Sequence, residues 1–179
     1  LVDGDKLICS PGGTSPALVA LNKRTGEVLW QASVEKLGPK GKPAPAYSGV
    51  VVSEAAGVRQ YVVLLGHGVA GVRASDGKFL WGYNQVANKT ATIPTPVTRG
   101  DYVLASSSYG EGGVGLLKLD KSADGVNSSE VYYLPPNQAQ NHHGGMILVG
   151  NHVYFGEGHN NGKPMCIEFQ TGKVAWKEE

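Results

Sequence analysis

The sequence predicts an all-β fold of repeated four-stranded antiparallel units, and three observations carry that prediction. Gly supplies 26 of 179 residues, about twice its usual share, and 10 Pro are scattered among them, a composition suited to many short strands joined by tight turns. A polar turn followed by a short strand ending in an aromatic recurs as Thr25-Gly26-Glu27-Val28-Leu29-Trp30, Asp76-Gly77-Lys78-Phe79-Leu80-Trp81 and Thr171-Gly172-Lys173-Val174-Ala175-Trp176, with a weaker copy at Ser129-Glu130-Val131-Tyr132-Tyr133. Nothing in the chain carries convincing helical periodicity.

The terminal aromatics Trp30, Trp81, Tyr133 and Trp176 follow one another at intervals of 51, 52 and 43 residues, which makes four units. In each, the strand that ends in the aromatic (strand D) is preceded by an apolar strand C: Ala17 to Leu21, Val69 to Val72, Val114 to Leu119 and Met165 to Phe169. The two form a hairpin in which Gly26, Gly77 and Gly172 supply the positive φ that the turn requires. Strand B comes next upstream, at Lys6 to Cys9, Gln60 to Leu65, Tyr102 to Ala105 and His152 to Phe155, introduced by Gly4-Asp5, Ala56-Gly57, Gly100-Asp101 and Gly150-Asn151. Strand A is expected at Tyr47 to Val52, Ile93 to Val97 and Gly144 to Val149. The expectation is therefore four four-stranded antiparallel blades of a β-propeller. They form a partial ring whose first blade lacks strand A, with blades over 1–31, 46–82, 92–134 and 144–177 of a single segment, 1–179. The length favours one hydrophobic core.

Charged residues make up 17% and the formal net charge is +1, so the chain has no electrostatic case for nucleic acid or an anionic membrane surface. The longest apolar stretch, Tyr61 to Leu65, falls far below the roughly 20 residues of a membrane span. The opening residues lack the basic start and apolar run of a secretory leader, which suggests a processed chain or an excerpt. Cys9 and Cys166 belong to no CxxC or Cys-His spacing and are expected as free thiols.

Antiparallel strands alternate direction, so the B to C and D to A loops emerge on one face and the short glycine turns on the other. The B to C loops are Ser10 to Thr14, Gly66 to Gly68, Ser108 to Gly113 and Gly156 to Gly162; the last D to A connection adds Asn137, Gln138, Gln140, Asn141, His142 and His143. Four of five histidines thereby share a face, and loops on a rigid scaffold are where binding groups sit. The candidate ligand-binding residues are His67, Tyr109, Glu111, His142, His143, Glu157 and His159, with Tyr109 as a stacking ring. Imidazoles beside carboxylates suit a metal or quinone site, or else Gly, Asn and His serve here as ordinary loop formers. No metal is assigned, because adjacent histidines in an extended strand point to opposite sides. His152 reads as structural. Ser106-Ser107-Ser108 has no evident base, and Asn88-Lys89-Thr90 and Asn127-Ser128-Ser129 match the N-glycosylation tripeptide. The stretch from Lys36 to Lys42 reads as a solvated loop, and Lys121 to Asn127 as an insertion extending one C to D turn.

The strand, Thr-Gly or Asp-Gly turn and terminal Trp together resemble the tryptophan-docking blade of the pyrroloquinoline quinone (PQQ)-like propeller repeats, over essentially the whole chain. Asn141-His142-His143-Gly144-Gly145-Met146-Ile147-Leu148-Val149 and Gly150-Asn151-His152-Val153-Tyr154 look like the bacterial branch labelled polyvinyl-alcohol-dehydrogenase-like or outer-membrane-assembly-like. The resemblance implies that Trp30, Trp81, Tyr133 and Trp176 pack between blades, with indole N–H groups bonded to neighbouring backbone carbonyls. Members of the family commonly close rings of about seven or eight blades, so the faces of the first and fourth blades are expected to be covered by further blades or by another copy of the chain. Dehydrogenases of the superfamily hold PQQ with a vicinal Cys-Cys pair, a stacking Trp and a calcium site. Here there is no Cys-Cys and all three Trp stand at docking positions, so no cofactor is expected within this segment, PQQ with calcium being the alternative. The implied function is a non-catalytic scaffold for protein or ligand binding in a periplasmic or otherwise extracytoplasmic compartment. The alternatives are a quinoprotein alcohol dehydrogenase-like segment and a structural subunit of a larger assembly.

Overall fold

The computed structural model describes every residue except Thr14, Asp124 and Glu179; Thr14 of the first B to C loop and Asp124 of the insertion therefore lie outside the described residues. Among the described residues, sixteen strands form four antiparallel sheets, each made of four consecutive strands in chain order. The first blade is β1 (Val2–Asp3), β2 (Lys6–Cys9), β3 (Leu18–Asn22) and β4 (Val28–Ala32); the second is β5 (Val50–Ser53), β6 (Gln60–Leu65), β7 (Gly68–Arg73) and β8 (Phe79–Tyr83). The third is β9 (Val97–Arg99), β10 (Tyr102–Ser107), β11 (Gly113–Ser122) and β12 (Gly125–Leu134), and the fourth β13 (Ile147–Val149), β14 (His152–Glu157), β15 (Lys163–Glu168) and β16 (Val174–Lys177). The only helical turn among the described residues is a 3-10 segment at Ala55–Gly57.

Two expectations are corrected. The first blade does possess a strand A, the stub β1, whose Val2 and Asp3 pair with Leu7 and Lys6; two residues are too few to show an alternating pattern. The A strands of the other blades start later than the apolar runs suggest, at Val50, Val97 and Ile147. The segments before them leave the sheet as loops, with Tyr47 N–H donating to Thr92 C=O in the neighbouring connection.

Strand periodicity explains the packing. The continuous run on β6 is buried on both sides: Tyr61, Val63 and Leu65 join Ile8, Leu18 and Ala20 of the first blade, while Val62 and Leu64 join Val103, Ala105 and Leu117 of the third. On β10, Leu104 points the other way, toward Phe155, Met165 and Ile167 of the fourth blade. The chain thus has three cores, one at each junction between blades, instead of one. This follows from the period of two, which sends neighbouring residues of a central strand to opposite faces.

The C to D turns of the first, second and fourth blades repeat the same pair of backbone bonds. Asn22, Arg73 and Glu168 each accept from the turn glycine (Gly26, Gly77, Gly172) and donate to the residue after it, at 2.8–2.9 Å. The three glycines have φ of 75°, 73° and 71°. Each D strand then carries one extra residue, Leu29, Leu80, Val131 or Ala175, which shifts the register. Beyond this bulge Trp30, Trp81 and Trp176 stand opposite Ala20, Gly71 and Cys166, and the corresponding residue of the third blade is Tyr132, opposite Leu116. The docking position assigned to Tyr133 therefore belongs to Tyr132.

Trp30 and Tyr132 lie on the turn glycine of the following blade. A Cβ at Gly77 would fall 2.6 Å from Trp30 Cε3, and one at Gly172 2.8 Å from Tyr132 Cδ2. Trp81 faces the longer third-blade hairpin and is buried, with Nε1 donating to the Gln60 side chain at 2.5 Å rather than to a backbone carbonyl. Trp176, on the last blade, is 46% exposed.

Candidate functional site

The B to C and D to A loops share one face, and hydrogen bonds tie several of them together. Asn84 of the second D to A loop donates to Lys40 C=O and His67 C=O, at 2.9 and 2.7 Å. Lys40 Nζ reaches Gln85 C=O at 2.7 Å and Glu111 C=O at 3.1 Å and lies 5.5 Å from the Tyr133 ring. Burial holds this ammonium below the ordinary lysine range, against the opposing pull of Glu111.

The structure separates the seven candidates into one cluster and three isolated residues. His67 is 2% exposed; its Nε2 donates to Glu35 C=O at 2.9 Å and burial holds its basicity below the usual imidazole range, so it acts as a post between loops. Glu111 pairs with Lys89 at 3.3 Å and accepts from the Lys89 N–H. Glu157 is buried and pairs with Lys177 at 2.8 Å. Neither carboxylate has an imidazole as its ion-pair partner.

His142, His143, His159 and Tyr109 form the cluster. The His142 ring lies between His143, 3.7 Å away centroid to centroid, and His159, 4.2 Å away with an interplanar angle of 24°. Tyr109 meets His142 and His159 edge on at 4.7 and 4.6 Å. The expectation that His142 and His143 diverge is overturned, because His142 to Gly144 is a bend and not a strand. His142 Nδ1 donates to His159 C=O, leaving its buried Nε2 without a protein partner. Burial lowers its basicity first, followed by the neighbouring imidazoles His143 and His159.

Behind the stack, Ser108 Oγ donates to Gln140 Oε1 at 2.8 Å and accepts from His159 Nδ1 at 3.3 Å. Tyr109 holds φ of 64°, a left-handed conformation uncommon for a bulky residue. Asn141, fully buried, bridges the backbone of Glu157 and Gly158 while both polar atoms of its own side chain lack protein partners. Gln140 and Asn141 belonged to the loop singled out by sequence, yet nothing in residue type marked them as supports. Asn88 is also a support, buried and bonded through its side chain to Ala91 C=O and Ser107 Oγ, which removes it as a glycan acceptor.

Stacked imidazoles present their ring nitrogens in nearly parallel planes, whereas a metal needs donors that converge. Among the described residues no group of three His, Cys, Asp or Glu side chains is placed to hold an ion. Three adjoining hollows run along this face, of about 380, 410 and 330 Å³. The first and second share Tyr47, Thr90 and Ala91, and the second and third share His143, so together they make one trough.

The family model described as outer membrane protein assembly factor BamB matches residues 1–178. No curated protein sequence matches the chain. Among solved structures, BamB from Moraxella catarrhalis superposes with a TM-score of 0.57 at 14% identity, over 98% of this chain and 61% of that one. Quinohemoprotein alcohol dehydrogenase from Comamonas testosteroni gives 0.63 at 14%, over 100% and 34%. Quinohemoprotein alcohol dehydrogenase ADHIIG from Pseudomonas putida HK5 gives 0.68 at 12%, over 100% and 33%. The chain thus spans about three-fifths of the BamB chain and a third of each dehydrogenase chain.

Proposed function

We propose, from the premise that this chain belongs to the PQQ-like propeller family whose model is described as outer membrane protein assembly factor BamB, that it is a non-catalytic binding scaffold acting in an extracytoplasmic bacterial compartment. The observation that carries the reading is the use of the loop-face side chains. His67, Glu111, Glu157, Ser108, Gln140 and Asn88 are tied to neighbouring loops or strands. The remaining imidazoles stack on one another. Such an arrangement stiffens a surface for display.

The quinoprotein alternative fits the residues poorly. Cys9 and Cys166 sit on β2 and β15 of the first and fourth blades, and Trp30 and Trp81 are packed within the blade junctions. Neither a vicinal thiol pair nor a free indole faces the trough. The end blades support a role in a larger particle. Among the described residues, nine of the eleven exposed large hydrophobic side chains lie on the first and fourth blades, including Val2, Val28, Ile147, Val149 and Trp176, and such faces call for cover by further blades or another copy.

Equilibrium dialysis against PQQ with calcium chloride, combined with a dye-linked alcohol oxidation assay, tests the reading. The expected result is no retained quinone and no turnover, whereas stoichiometric retention with turnover moves the chain to the oxidoreductase class. On the binding side, a photo-crosslinking residue replacing His143 in bacteria secreting the protein is expected to yield a discrete protein adduct, and one replacing Arg24 on the opposite face is not.

A further inference from the structure

Among the described residues, Tyr47 is the most exposed large hydrophobic, at 79%, and it lies in the D to A loop entering the second blade. A missing neighbour explains the apolar exposure of the end blades, and Val131 is the extra residue of a bulge. Neither reason applies to Tyr47. It lines both the 380 and the 410 Å³ hollows of the trough, with Tyr109 across the second. A tyrosine offered at the mouth of a preformed groove is the kind of side chain on which binding interfaces concentrate their energy.

Charge selects the occupant. The linings of the three hollows include Lys42, Lys89, His143 and His159 and not one Asp or Glu. Lys89 is partly compensated by Glu111, and both line a fourth hollow that adjoins the first at Lys89 and adds Lys40, so lysines still outnumber carboxylates along this stretch; Lys42 makes no ion pair among the described residues. The one-sided charge is local, because the whole chain carries only +1. Three connected hollows in a row suit an extended chain better than a compact molecule, since alternate side chains of an extended peptide enter successive hollows.

We infer that this trough is the docking groove for an extended acidic segment of a partner protein, its carboxylates at Lys42 and Lys89 and its intervening side chains between Tyr47 and Tyr109. The inference rests on the reading of this face as a binding surface and names the chemistry that the face selects.

The test uses a fluorescein-labelled peptide of alternating glutamate and alanine, about ten residues long so that it spans several hollows at ~3.4 Å per residue. Fluorescence anisotropy is followed at low and moderate salt, with a lysine-alanine peptide and a heparin fragment in parallel. The acidic peptide is expected to bind and to weaken with salt, and the lysine peptide is not. Tyr47→Ala and Lys42→Glu are each expected to weaken binding about tenfold without moving the melting temperature, because both side chains are exposed. Equal binding of the two peptides, indifference to both substitutions, or tighter binding of heparin overturns the assignment, the last giving the trough to an anionic polysaccharide. If the acidic peptide fails while the crosslink at position 143 persists, the binding face stands and its acidic specificity falls; if both fail, both are wrong.

Discussion

Two chemically identical substitutions separate backbone strain from blade docking. Gly26 and Gly77 occupy the same turn with φ of 75° and 73°, so alanine at either meets the same left-handed backbone penalty, about 1 kcal/mol. Nothing lies within 4 Å of a Cβ built at Gly26, whereas one at Gly77 falls 2.6 Å from Trp30 Cε3 and 3.0 Å from Cδ2. The indole is a rigid plate pinned against Tyr61, with ring centroids 6.0 Å apart, and cannot yield as a flexible side chain would. Overpacking of this kind costs a further 1–3 kcal/mol or so, so Gly77→Ala is expected to lose roughly 2–4 kcal/mol against about 1 for Gly26→Ala. At ~2–4 °C per kcal/mol for a chain of this size, melting temperatures of the two variants are expected to differ by several degrees. Urea unfolding followed by far-ultraviolet circular dichroism measures the loss, and tryptophan fluorescence reports whether Trp30 has left its seat. Equal losses for the two variants would refute the claim that the turn glycine is the seat of the preceding blade's aromatic.

Gln60→Ala leaves the Trp81 N–H unpaired inside the second junction and removes the bonds to Ala55 C=O and Val58 C=O, so a loss of about 2 kcal/mol is expected by urea titration. A variant as stable as the parent would mean that the indole finds water. His67 and His142 bind protons less readily in the folded chain than an ordinary imidazole, whose pKa is about 6.5, chiefly through desolvation. The unfolded chain therefore takes up more protons as pH falls, so this stability is fully present above about pH 6.5 and is lost progressively below it. Melting curves between pH 7.5 and 5 are expected to fall, with the fall shallower in His67→Gln; a flat profile, or one rising toward acid, contradicts the reading that both imidazoles resist protonation in the folded chain.

The legibility of the fold traces to local rules. The recurring turn, short apolar strand and terminal aromatic, and the three positive-φ glycines, are decided within a few residues of chain, so most strands and the glycine turns could be placed without coordinates. Legibility failed first at the aromatic of the third blade. Counting from Trp81 lands on Tyr133, but the bulge at Val131 and the longer β11–β12 hairpin put Tyr132 opposite Leu116 and over Gly172. Pairing register is a property of two strands, and no single strand encodes it.

The candidate site was legible only as a set of loops. By itself the sequence determined which loops share a face and that four histidines occupy them, because antiparallel strands must alternate direction. Only the tertiary structure decided that His142 packs between His143 and His159 with Tyr109 edge on, while His67, Glu111 and Glu157 hold the scaffold together. It also decided that Tyr47, read as the start of a strand, stands open above a trough. The difference is physical. A strand or turn is selected by steric limits and burial along one short stretch, whereas a loop side chain takes its place from neighbours such as Lys40, Gln140 and Lys177, which lie elsewhere in the chain and meet it only when the blades pack.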